Sequence, residues 1–148
     1  MKKFSFPLEF LLKYRKRKEK RIKRELAELV RRWEKEKKLL EQLKEEGEKC
    51  QAELKKRREE GNISYILLYQ SYLEELLQRI EKEQVKMEKL FAMMEEKKKE
   101  LRFASKEKMV VERLKKKRWL EFVSLMEREE QGLIDESAIA KFNAQKRS

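Results

Sequence analysis

Between Ile22 and Leu54 the chain reads IKRELAELVRRWEKEKKLLEQLKEEGEKCQAEL, and apolar residues return in alternating steps of four and three. Ile22, Leu26, Leu29, Trp33, Leu40, Leu43, Cys50 and Leu54 occupy eight of the ten successive positions, with Glu36 and Gly47 as the exceptions. Chance placement at 39% apolar residues gives about four, so this periodicity is the seam of a coiled coil. A 3.5-residue repeat confines the apolar stripe to one narrow face, which a single helix cannot bury by itself. The stretch therefore requires a partner helix.

The partner lies further along the same chain. From Ile66 the heptad resumes through Tyr69, Leu73, Leu76, Ile80, Met87, Leu90, Met94, Leu101 and Ala104, ten of twelve seam positions, with Glu83 and Lys97 out of pattern. Glu59-Glu60-Gly61-Asn62 is the one place in the middle of the chain where turn chemistry gathers, because Gly and Asn tolerate a left-handed backbone. Two long helices joined by so short a turn lie antiparallel. The two seams predict an all-α protein: a long antiparallel two-helix coiled-coil hairpin with a small apolar tip and a short C-terminal helix. It is a single domain over 1–148, with helix one at about 8–58, a turn at about 59–64, helix two at about 65–130 and a tail over 131–148.

Several local features refine that picture. Pro7 suits the first turn of helix one, after a short extended segment from Met1 to Phe6. Extending the first seam backward places Leu8 and Leu12 on it but also Arg15 and Glu19, so this end is expected to fray. Past Ala104 the register blurs. Lys108, Lys115 and Arg118 fall on the extrapolated seam while Val110, Val111, Leu114, Trp119, Phe122, Val123 and Met126 step beside it, which predicts a stutter. Trp119 and Phe122 are expected to approach Phe4, Phe6 and Phe10. Gly132 is expected to end helix two, with Asp135 capping a short helix over 136–142 and the last residues disordered.

Ile63 to Tyr69 is apolar on every side, more than a two-stranded coil needs. It reads as a hydrophobic knot sealing the hairpin tip, as a patch for a partner, or as both together.

Composition narrows the function. With no His, no Thr and one Asp, Asp135, the common acid–base and nucleophilic constellations are missing. Cys50 is the sole cysteine, on the seam, where an inert buried thiol is the simpler reading than a metal ligand. Three isolated glycines make no phosphate-cradling loop. The chain reads as a non-enzyme without a cofactor. With no apolar run near 18 residues and no small-residue cleavage site after the N-terminal Lys-Lys stretch, it reads as cytoplasmic.

The net charge of +12 is concentrated. Eleven basic residues, including Lys13, Arg17, Lys20, Arg21 and Arg24, fall within the first 24 positions against Glu9 and Glu19. Seven more, including Lys116, Lys117 and Arg118, fall between Lys106 and Arg118 against Glu107 and Glu112. An antiparallel hairpin brings the two runs together. Like charges at i and i+4, such as Arg17 with Arg21, repel by a few tenths of a kcal/mol each, so the cluster points to a negatively charged partner. Nucleic acid fits less well, because no aromatics alternate with the basic run as stacking platforms. Lipid also fits less well, because Ile22 and Leu26 are committed to the helix partner.

Three sets of residues together resemble the FliJ family, the soluble coiled-coil component of the bacterial flagellar type III export apparatus. At the start they are Phe4-Ser5-Phe6-Pro7-Leu8-Glu9 with Leu11-Leu12-Lys13-Tyr14-Arg15, then Glu25-Leu26-Ala27. After the turn they are Tyr69-Gln70-Ser71-Tyr72-Leu73-Glu74. Near the end they are Glu129-Glu130-Gln131-Gly132-Leu133-Ile134-Asp135-Glu136, then Ala138 and Phe142. The resemblance implies a stalk standing in the hexameric ring of the export ATPase, contact with the large membrane protein of the export gate, and weak binding to export chaperones. It implies a place at the cytoplasmic face of the inner membrane, held there through protein contacts; from the basic run itself, no specific nucleic acid is expected as a partner. The basic residues Lys13, Arg17, Lys20, Arg21, Arg24, Lys116, Lys117 and Arg118 are expected to face the ring. Leu43, Tyr69, Tyr72 and Leu76 match gate-facing positions, and Leu68 adjoins them. The family often has aromatics on helix one where this chain has Glu46 and Cys50. The equivalent stalk of a virulence injectisome and a basic nucleic-acid-binding or scaffold coiled coil are the alternatives.

Overall fold

The computed structural model describes residues 2–147, which form two α-helices, α1 (Glu9–Glu60) and α2 (Ile63–Arg147). Met1 and Ser148, at the outer limits of the expected N-terminal segment and C-terminal tail, lie outside the described residues. As the partners on α1 rise in number, those on α2 fall: Glu25 pairs with Lys97, Glu36 with Lys86 and Glu46 with Tyr72. That order is the signature of an antiparallel hairpin.

The turn is tighter than the sequence suggests. Gly61, at φ 74°, takes the left-handed position at the end of α1. Its N–H donates to the carbonyls of Arg57 (3.0 Å) and Arg58 (3.2 Å), and the N–H of Asn62 reaches the Arg57 oxygen (3.4 Å), which closes the helix as in a Schellman motif. Asn62 also starts α2: its carbonyl accepts from the Ile66 N–H (3.0 Å) and its side-chain oxygen from the Tyr65 N–H (3.5 Å). One residue thus helps end one helix and caps the next, so the reversal needs only Gly61 and Asn62. Arg57 and Arg58 in the last turn of α1 complement the helix dipole.

The chain divides into two compact units, the first comprising the described residues of Met1–Glu19 and Phe103–Ser148, the second Lys20–Arg102. In the second unit the seam is filled as the periodicity predicts. Ile22, Leu29, Cys50, Leu54, Leu76, Leu90 and Met94 are buried, and Leu29, Leu90 and Met94 form a cluster flanked by Leu26, Val30 and Trp33. Gly47 fits because the facing side chain is Ile80, whose Cδ1 would lie 3.8 Å from a Cβ at that position.

In the first unit Phe6, Leu12 and Val111 form a core, with Phe4, Leu8, Leu11 and Leu114 packed against it. The expected fraying does not occur, because the polar seam residues find partners. Lys108 Nζ lies 3.0 Å from Glu19 Oε2, Lys115 Nζ 2.8 Å from Glu9 Oε2, and Arg15 donates to the Glu107 carbonyl at 2.7 Å. The register also holds further than expected, through Val111 and Lys115, before Arg118 turns to solvent. Phe4 then packs on Trp119 and Phe122, with ring centroids 5.2 and 5.6 Å apart. Phe10 is exposed and takes no part in that cluster.

Gly132 does not end α2, which runs unbroken to Arg147 without a separate C-terminal helix. A glycine inside a helix costs about 1 kcal/mol relative to alanine. That cost falls in a segment rich in helix formers, and the Gln131 side chain donates to Asp135 (3.0 Å) across the turn containing the glycine.

Candidate functional site

The cations sort into two groups by the direction they face. Arg15, Lys18, Lys108 and Lys115 turn toward carboxylates of the opposite helix. Lys13, Arg17, Lys116 and Lys117 of the first unit are exposed, and none has a carboxylate within ion-pairing distance among the described residues. Arg118 is exposed and reaches only its helical neighbour Glu121 (3.8 Å). In the second unit Lys20 and Arg24 are likewise exposed and unpaired among the described residues, and Arg21 reaches Glu25 at 3.8 Å. Exposed pairs of this kind contribute little. The exposed cations therefore remain free to meet external negative charge.

The apolar set lies in the second unit. Leu68 is exposed, Tyr69 and Leu43 are half-buried, and Tyr72 keeps 43% of its surface accessible. The Tyr72 hydroxyl donates to Glu46 Oε2 (3.4 Å), and the Cys50 thiol donates to the Tyr69 carbonyl (3.3 Å). Glu46 and Cys50 of α1 thus each hold one of these two tyrosines of α2. Burial, and then the nearby Glu46 carboxylate, pushes the Tyr72 phenol up, so it remains a neutral donor. Burial raises the Cys50 thiol as well, which keeps it protonated and unreactive.

Leu76 corrects the expected set. It is 0% exposed, so it packs the seam and offers nothing to a partner. Ile63, Tyr65 and Leu67, absent from the expected set, are exposed beside Leu68. That exposure also rules out a sealed knot at the tip, since only Ile66 and Tyr69 of the stretch turn inward. A helix with one partner can bury only one face, and a segment apolar on all sides must leave the others in water. The continuous apolar run is the sequence signal for this exposed patch.

No cluster of three or more potential metal ligands occurs among the described residues, and none of their helices is long and apolar enough to cross a membrane. Comparison with curated proteins and comparison with solved structures each gave no match. The family model described as "Flagellar FliJ protein" matches residues 4–147. With nearly its whole length matched, and with the antiparallel hairpin in place, this chain belongs to the FliJ family.

Proposed function

We propose that this chain is a non-enzymatic stalk of the flagellar type III export apparatus, coupling the hexameric export ATPase to the large membrane protein of the gate and assisting export chaperones. The family match over residues 4–147 carries this reading. Two surface properties support it. The exposed cations Lys13, Arg17, Lys116, Lys117 and Arg118 of the first unit and Lys20, Arg21 and Arg24 of the second suit an acidic or carbonyl-lined ring interior. Leu68 and Tyr72, with Tyr69 and Leu43 partly accessible, offer apolar and aromatic anchors for the gate. The protein would act at the cytoplasmic face of the inner membrane, held by these protein contacts.

The test is reconstitution with the purified export ATPase. Addition of the chain should promote ring assembly or turnover, and the effect should weaken as salt screens the cations. An ATPase indifferent to the chain at low salt contradicts the reading.

A further inference from the structure

Two carboxylates face each other across the seam of the second unit. Glu83 on α2 is 8% exposed, and Glu36 on α1 occupies the opposing layer with a side chain 17% exposed. Both interrupt otherwise apolar heptads. The register that sets Cys50 against Tyr69 puts Glu83 in the layer facing Glu36, and the buried Oε1 of Glu83 has no hydrogen-bond partner among the described residues. Two ionised carboxylates offer only acceptors to each other. A hydrogen bond between them exists only when one holds a proton.

We propose that Glu36 and Glu83 share one proton across the α1–α2 seam, so that this layer of the hairpin tightens as pH falls and loosens as pH rises and the proton is lost. The surrounding charges divide the roles. Lys86 Nζ lies 2.8 Å from Glu36 Oε1, and Lys35 on α1 also favours the Glu36 anion, while Arg32 on α1 lies near Lys86. Hydrogen bonding from Glu83 and Lys86 holds Glu36 below the ordinary carboxylate range. Burial, then the facing Glu36, pushes Glu83 above it, against a smaller opposing pull from Lys86. Glu36 is thus the anion and Glu83 the proton carrier.

Linkage fixes the direction of the pH effect. A carboxyl raised in the folded state adds stability below its unfolded pKa and loses it as pH rises through the folded value. Glu9 and Glu25 are lowered and titrate on the acid side, while Lys86, Lys97 and Lys108 are raised and titrate far above neutrality. The chain contains no histidine. Among these groups Glu83 is the one carboxyl raised above its ordinary value, so it is the group whose contribution is lost as pH rises.

Thermal unfolding of the full chain followed by circular dichroism from pH 5 to 8.5 tests this. The melting midpoint should fall as pH rises, with a limiting slope of about tenfold in the folding equilibrium per pH unit for one proton. Glu83→Gln, neutral and able to donate to Glu36, should be more stable than the parent at pH 8 and lose that slope. Carboxyl-carbon NMR of the unsubstituted protein supplies a second readout if the variant folds poorly, and Glu83 should titrate above the exposed glutamates. A flat parent profile, a variant with the parent's slope, or a Glu83 midpoint at or below the exposed glutamates would each overturn the proposal.

Discussion

Lys108 Nζ lies 3.0 Å from Glu19 Oε2, on a seam position where the heptad favours an apolar side chain. Glu19 is almost fully buried, with 6% of its side chain exposed against 22% for Lys108. Removing the lysine alone takes a close partner from a buried carboxylate, whereas removing both charges leaves no buried charge to compensate. Lys108→Met should therefore cost about 1–3 kcal/mol, and Glu19→Leu with Lys108→Leu should return to within about 1 kcal/mol of the parent. Urea unfolding of the two variants checks this, and additive losses would contradict it.

The two helical glycines should respond alike to alanine. At Gly47 the added Cβ would make ordinary contact with Ile80 at 3.8 Å, and at Gly132 it would meet nothing within 4 Å. Neither has a positive φ. Each Gly→Ala substitution should stabilise its helix by up to about 1 kcal/mol, read as a rise in melting temperature. Gly61→Ala should do the reverse, because φ there is 74°.

Acid should weaken the hairpin through a different set of groups. Hydrogen bonding from Lys97 lowers the Glu25 carboxyl, and hydrogen bonding from Lys115 lowers Glu9. A lowered carboxyl adds stability above its unfolded pKa and loses it as pH falls through the folded value. Melting temperature should thus drop below about pH 4.3. Glu25→Gln should reduce that drop, and a profile unchanged by the substitution would contradict the assignment.

The hairpin and its seam are legible in the sequence because periodicity reports burial directly. The apolar residues from Ile22 to Leu54 and from Ile66 to Ala104 turn inward at the positions the heptads mark. Periodicity does not show how the exceptions are resolved. Glu36, Lys108 and Lys115 gain partners from the opposite helix, and a pattern along one segment carries no information on pairing with another. Leu76 suits a binding anchor as well as a core by its type, and only the packing distinguishes the two. The continuity of α2 through Gly132 is hidden for an energetic reason, since one glycine is a small penalty in an 85-residue helix.

Separate variants of the basic and apolar surfaces test the stalk assignment most directly. Arg17, Lys20 and Arg24 are exposed and off the seam, so their joint replacement by Glu should preserve helicity while abolishing stimulation of the ATPase. Tyr72→Ala should leave that stimulation intact and weaken gate binding by about tenfold, the loss of an aromatic anchor worth ~1.4 kcal/mol. The measurement is ATPase turnover and gate affinity for both variants, side by side. Each variant should lose one activity and keep the other. Loss of both activities in either folded variant would contradict the stalk assignment.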